Sequence, residues 1–233
     1  MGRLAVVGGH SILGSAWGTD AARREVAVGN ATVVVFDDDL RVVLHRHGID
    51  DYTPAHRVDH VANLRALGEV GCDRVLAVSS VGSLRAEWGV GTFVAPDDFI
   101  ALDTTIAVYH DVQSHLVPAF DREWRARVVR VANDAGARTL DGGVYWQTTG
   151  PRFETRAEIR FMARFADLVG MTAASEAIVA QELGLQYAVV CVVDNLANGI
   201  AEEPLSTEEF EAGKRATRAS VLAFLDAIVP ILA

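Results

Sequence analysis

Tyr187-Ala188-Val189-Val190-Cys191-Val192-Val193 is an unbroken apolar run, and Asp194-Asn195 follows it directly. A run this short and this rich in β-branched residues reads as a strand buried on both faces, the kind found in a parallel sheet covered by helices. Working outward, Leu4–Val7, Ala31–Phe36, Arg41–Leu44, Arg74–Val78, Phe93–Pro96, Phe99–Leu102, Gly143–Thr149 and Asp167–Met171 read as further strands. Asp37-Asp38-Asp39 turns Ala31–Phe36 back onto Arg41–Leu44 as a hairpin. Val61–Leu67, Arg122–Ala135, Thr155–Phe165 and Ser175–Leu183 have helical spacing, with Ala157, Phe161 and Phe165 on one face of the third. Glycines stop three of these helices: Gly68 or Gly71, then Gly136, then Gly184. Ser206-Thr207-Glu208-Glu209 is a capping signal that opens a last helix, whose Val221, Phe224, Leu225 and Ile228 bury against the body. Strands alternating with helices, with a hairpin early, predict one α/β domain over residues 1–233, with a mixed central sheet flanked by helices on both faces.

Composition narrows the function. The chain has 233 residues, 50% of them hydrophobic, enough for one sizeable core. Its formal net charge of -10, with no basic block, argues against nucleic acid as a partner. Cys72 and Cys191 sit in or beside apolar runs and read as buried free thiols in a reducing compartment. The N-terminal stretch lacks the length and cleavage site of a signal peptide, and no apolar run approaches a membrane span. The expectation is a cytoplasmic protein without a membrane partner. His45 and His47 have no second ligand pair at zinc spacing, so no metal is expected.

Polar residues collect where the apolar runs end. Leu4–Val7 runs into Gly8-Gly9-His10-Ser11, which is a ligand loop or an ordinary turn; it lacks the spacing of a dinucleotide site. Arg41–Leu44 runs into His45-Arg46-His47-Gly48, a planar fork of donors suited to an oxyanion, or a solvated basic strand end. Arg74–Val78 is closed by Ser79-Ser80-Val81-Gly82-Ser83, at the strand end where α/β folds place ligands, or simply by a tight turn. Gly150-Pro151-Arg152-Phe153-Glu154-Thr155 sets an aromatic ring beside a carboxylate, and Gly170-Met171-Thr172 ends another run in a hydroxyl. Glu154 could instead serve the first turn of a helix. Asp194 and Asn195 could be turn formers. An aromatic face with a few placed polar groups suits a small planar heterocycle.

These motifs, in this order and spacing from Gly8-Gly9 to Asn195, resemble the trimeric purine nucleoside phosphorylases, a class that includes the methylthioadenosine and methylthioinosine phosphorylases. The match also takes in Asn63 and Glu176. The resemblance implies a phosphorylase/hydrolase-like fold and cleavage of an N-glycosidic bond by inorganic phosphate, with no cofactor. It implies that Arg46, His47, Ser80 and Thr172 hold phosphate, with Ser11 beside His10, which stands where the family usually has Ser or Thr. Phe153 would stack on the purine and Met171 pack under the ribose, near His60, which replaces a usual Tyr. Asp51 falls near a family position that is often His. Glu154 and Asn195 stand where members that use 6-oxopurines carry Glu and Asn, the latter donating to N7, with Asp194 a second contact. His115 would reach the 5′ end of the sugar from a neighbouring subunit, which implies a homotrimer with shared sites. The expected catalytic set is therefore Asn195, His47 and Asp194. The apolar Leu196, Ala197 and Ile200 before Glu202 suggest a methylthio contact. The rival readings are a methylthioadenosine phosphorylase, a nucleosidase that uses water, and a non-catalytic purine-binding homologue.

Overall fold

The computed structural model describes residues 2–201 and 206–233. Glu202 lies outside the described residues, as do the side chains of Thr207 and Glu209 in the expected capping signal. The backbone runs β1 Arg3–Gly8, β2 Ala22–Val28, β3 Ala31–Asp37, β4 Val42–His45, α1 His60–Glu69, β5 Cys72–Ser83, β6 Phe93–Ala95 and β7 Asp98–Ile100. It continues through α2 Arg122–Asp134, β8 Thr139–Asp141, β9 Val144–Gln147, α3 Arg156–Met162, β10 Leu168–Gly170, α4 Ala173–Glu182, β11 Gln186–Leu196 and α5 Thr207–Leu232.

All the strands join one mixed sheet. β1 runs parallel to β4 and β5, and β5 runs parallel to β11. The β2-β3-β4 edge is antiparallel, as are the β5–β10 and β6–β11 pairs. Alternation along the central strands fills both faces. Val189, Cys191 and Val193 join Leu64 and Leu67 of α1 and Ala177 and Ala180 of α4 in one core. Ala188, Val190 and Val192 join Trp124 and Val128 of α2 and Val221, Phe224 and Ile228 of α5 in the other. Burial on both faces is why β11 carries no polar residue from Tyr187 to Val193.

Two departures from the sequence reading open the site. Ser79–Ser83 is not a turn; it is the C-terminal half of β5. Pairing of β1 with β5 stops at Gly8–Val78, and pairing of β10 with β5 begins only at Gly82. Between these limits Ser79, Ser80 and Val81 keep β11 alone as a neighbour, so the sheet splits along one side of β5. Likewise, Asp194-Asn195 is not a turn after β11 but lies within it. Val193 pairs with Val81 and Asn195 with Gly82, which leaves Asp194 as the extra residue of a β-bulge.

Three smaller corrections concern packing. β2 begins with the exposed Ala22-Arg23-Arg24-Glu25 and forms the sheet edge, so it carries no apolar run to announce it. β8 is only three residues long. α3 stops at Met162, short of the predicted Phe165. Its buried residues are Ile159 and Met162, whereas Phe161 and Phe165 are exposed.

Candidate active site

The split beside β5 opens a cleft of about 270 Å³. One end is walled by Gly9 and His10 after β1, Arg46 and His47 after β4, Ser79 and Ser80 of β5, and Thr172 before α4. Thr172 is the N-cap of α4, yet its hydroxyl makes no cap bond; the backbone N–H groups of Thr172 and Ala173 donate to the Tyr145 hydroxyl instead, at 3.2 and 3.3 Å. The hydroxyl is therefore left over, at a helix N-terminus that favours an anion.

Arg46 is buried with its charge already matched. Its Nε and Nη2 donate to the two oxygens of Glu176, the second at 2.8 Å, and its Nη1 donates to the Val78 carbonyl at 3.2 Å. Glu176 also accepts from the Tyr187 hydroxyl at 2.6 Å. Burial opposes both charges, but each holds the other ionised: the guanidinium is raised and the carboxyl falls well below the usual carboxylate range.

Both histidines at this end are neutral at pH 7. Burial, then the Arg46 charge, pulls His47 down to about 4. Burial, then His47, Lys214 and Arg46, pulls His10 down to about 3. His47 Nδ1 lies 2.8 Å from the Thr53 carbonyl, which can only accept, so Nδ1 carries the proton and Nε2 keeps its lone pair. His10 Nε2 is bonded to the Tyr52 hydroxyl at 2.9 Å.

The other end is lined by Pro151, Phe153 and Glu154, by Val169, Gly170 and Met171, and by Asn195 and Ala197. Gly150 has φ of 64°, and a Cβ there would stand 2.5 Å from Met171 Sδ, so the loop and Met171 approach closely only because this residue is glycine. Thr155 and Glu158 form a complete capping box for α3. Glu154, one residue earlier, is thereby spared helix duty: it is buried in the cleft wall, and Thr148 donates to its Oε1 at 2.6 Å. Asn195 spends one N–H on the Leu196 carbonyl at 2.9 Å, and a primary amide has a second to offer.

The sequence reading left out one wall. Tyr52, and Phe210 and Glu211 from the first turns of α5, also line the cleft. The Phe210 ring meets Phe153 edge-on at 5.0 Å and lies 6.3 Å from the His10 ring. The signal was present: Phe210, Thr217, Val221, Phe224 and Ile228 share helical spacing, so the buried stripe extends back to the start of the helix.

Arg46, His47, Ser80, Thr172, Phe153, Glu154, Met171 and Asn195 thus converge on one cleft, and four expected residues do not line it. Asp194, at the bulge, turns to α5, where Thr217 donates to its Oδ1 at 2.6 Å. Burial raises its carboxyl above the usual range, against the opposing Thr217 hydrogen bond and the Lys214 charge. His60 is the first residue of α1 and lies behind Arg46, with Nδ1 3.7 Å from Glu176. Ser11 is buried beside the cleft loop without lining it. His115 is exposed at the end of a short turn, off the cleft of its own chain.

Comparison with known proteins identifies the family. Residues 17–230 match the family model described as "Phosphorylase superfamily". A "Probable 6-oxopurine nucleoside phosphorylase" of Archaeoglobus fulgidus is 39% identical, with the match covering 88% of this chain and 87% of that protein. A "Probable S-methyl-5'-thioinosine phosphorylase" of Methanosarcina acetivorans is 38% identical over 80% of this chain and 74% of that protein. The methylthioadenosine phosphorylase of Schistosoma mansoni, solved in complex with adenine, has the same fold, with a TM-score of 0.87 at 22% identity over 100% of this chain and 92% of that one. Because the family model spans residues 17–230 and a relative 39% identical covers most of both chains, the protein belongs to the phosphorylase superfamily.

Proposed function

We propose that the protein cleaves 6-oxopurine nucleosides (inosine, guanosine or 5′-methylthioinosine) with inorganic phosphate, giving the free base and a sugar 1-phosphate. The observation that carries this is Glu154, a carboxylate buried in the cleft wall, held by Thr148 and free of any capping role. A carboxylate accepts from the N1–H of hypoxanthine or guanine; neutral adenine has no such proton. Asn195 supports the same choice, because its remaining N–H suits N7 as charge collects on the departing base. A base of the wrong type leaves each of these buried groups unpaired, at a cost of about 1–3 kcal/mol.

In this reading a phosphate oxygen forms the new bond to the anomeric carbon. The C–N bond breaks, its electron pair leaves with the purine, and Asn195 stabilises the negative N7. Arg46, His47, Ser80 and Thr172 orient the phosphate, with His10 beside them in place of Ser11. Holding nucleophile and sugar together in a cleft that excludes water supplies most of the rate enhancement. Phe153 stacks on the base and Met171 packs under the sugar. Asp194 and His60 act from behind the wall, one bracing α5 and the other beside the Arg46–Glu176 pair.

We also propose a cytoplasmic homotrimer in which His115 completes the site of the next subunit. The exposed Val112, Leu116 and Val117 around His115 support this, since such apolar exposure is the mark of a covered surface. Among the described residues no helix is long and apolar enough to cross a membrane. Light scattering tests the trimer, and a monomer that turns over at full rate refutes it.

Hydrolysis is the second reading, kept because His10 lines the phosphate end of the cleft while the Ser11 hydroxyl does not reach it, which leaves a place for water instead of phosphate. A product assay decides between them. Inosine, 5′-methylthioinosine and 5′-methylthioadenosine are each incubated with and without phosphate. Release of hypoxanthine only with phosphate, with adenine far slower, is the expected result. Equal release without phosphate overturns phosphorolysis, and adenine release at the same rate overturns the Glu154/Asn195 assignment.

A further inference from the structure

The phosphate end of the cleft is short of positive charge. Arg46 is cancelled by the Glu176 carboxylate it grips. His10 and His47 are neutral at pH 7. Ser80 and Thr172 bring only dipoles. A phosphate carrying one or two negative charges would therefore be desolvated beside groups whose charges sum to zero, in a chain whose formal net charge is -10.

A cation stands nearby. Lys214 is the only lysine in the sequence, which otherwise uses arginine. It lies one turn after Phe210 and Glu211, both cleft residues. Its Nζ is 2.9 Å from Glu211 Oε1 and 4.9 Å from the centre of the Phe210 ring, and its side chain is only 17% exposed. The Phe210 ring it rests on lies 6.3 Å from the His10 ring, and Gly213, the residue before it, packs on Asp194, so it sits between the phosphate loop and the bulge of β11. Lysine differs from arginine in being a point charge on a long flexible stem, able to exchange one anion for another without a fixed fork.

We propose that Lys214 is the mobile cation of the phosphate subsite, held by Glu211 in the free protein and transferred to phosphate on binding. Glu211 then acts as a competitor: it stores the charge and weakens phosphate affinity by the strength of the pair it forms. The inference deepens the phosphorylase reading and rests on it.

The test compares wild type with K214M, K214R and E211Q. Inorganic phosphate binding is measured by calorimetry, and the KM values for phosphate and inosine are measured in turnover. In K214M the phosphate Kd and KM rise about 10-fold, the effect of losing one close charge, while the inosine KM stays within about 2-fold. K214R restores the charge but holds Glu211 through its fork, so it recovers only part of the loss. E211Q binds phosphate about 3-fold more tightly, because the lysine is released. A K214M protein that binds phosphate as wild type does, and changes only in melting temperature, overturns the proposal and leaves a structural ion pair. Wild-type turnover of inosine that is indifferent to phosphate overturns the underlying phosphorylase reading as well. Phosphate-dependent wild type with an unaltered K214M removes the role of the lysine alone.

Discussion

Arg46 and Glu176 allow structural and chemical roles to be separated by a mutant cycle. Both side chains are 1% exposed, and the carboxylate accepts two N–H bonds from Arg46 and one from the Tyr187 hydroxyl. Glu176→Gln keeps the shape and an acceptor for Tyr187 but leaves the guanidinium charge buried and unpaired. Breaking one side of such a pair costs about 3–5 kcal/mol. For a chain of this length each kcal/mol moves the melting midpoint by about 2–4 °C, so E176Q should melt about 10 °C below wild type. The double variant R46M/E176Q removes the stranded charge, fills the space with an unbranched apolar side chain and keeps the Tyr187 bond. It should regain all but about 1 kcal/mol, because a buried pair replaced as a unit is close to neutral. Urea unfolding followed by tryptophan fluorescence, in phosphate-free buffer, gives both values. The double variant should be folded and yet show no phosphate-dependent turnover. E176Q within 1 kcal/mol of wild type, or a double variant as unstable as the single, would refute the reasoning.

Three further outcomes follow from the geometry. Asn195→Asp replaces an amide donor, suited to the O6 side of a 6-oxopurine, by a carboxylate that can accept from the N6 amino group of adenine, so the kcat/KM ratio of adenosine to inosine should rise about 10-fold or more; an unchanged ratio counts against the pocket assignment. Gly213 on α5 packs so tightly on β11 that an added Cβ would overlap the Asp194 carbonyl oxygen, so Gly213→Ala should destabilise by about 2 kcal/mol and raise the inosine KM by unseating Phe210. His10 and His47 have folded pKa values near 3 and 4, below the ordinary 6.5. As pH falls below 6.5 the unfolded chain binds protons that the folded chain refuses, so stability is full above 6.5 and is lost toward pH 4. With His10 partly exposed, the loss from pH 7 to pH 5 is about 2 kcal/mol by denaturant titration, and H10Q/H47Q should flatten it.

Much of this molecule is legible in its sequence because the apolar runs are long and bounded. Tyr187–Val193 announces a strand buried on both faces, and the polar residues at the ends of the runs sit around one cleft. What the pattern hides is where a strand continues past its apolar part. Ser79–Ser83 and Asp194-Asn195 look like turns because serine, glycine, aspartate and asparagine favour turns, yet pairing between β5 and β11 carries both stretches onward as strand. The exposed edge strand β2 has no apolar run because solvent covers most of it. Phe161 and Phe165 share helical spacing with no core behind them, since Ile159 and Met162 do the burying. Whether Glu154 serves helix or ligand is undecided locally; it depends on Thr155 and Glu158 completing the cap themselves. The α5 wall is a contact between Phe210 and Phe153, too far apart in the chain for local pattern to pair.

α5 has a further consequence, through how unevenly it is anchored. Val221, Leu225, Ile228, Val229 and Leu232 are fully buried, whereas its first turns carry Phe210 and Glu211 into the cleft. A helix loosens from its ends inward, and the weakly anchored end opens first. Here that end is the door of the cleft. A partial unwinding that leaves the far half of the helix seated would then open the cleft to substrate and product. Amide exchange should show it as a gradient along one helix, fast at 208–211 and slow beyond 217, with inosine slowing only the fast end.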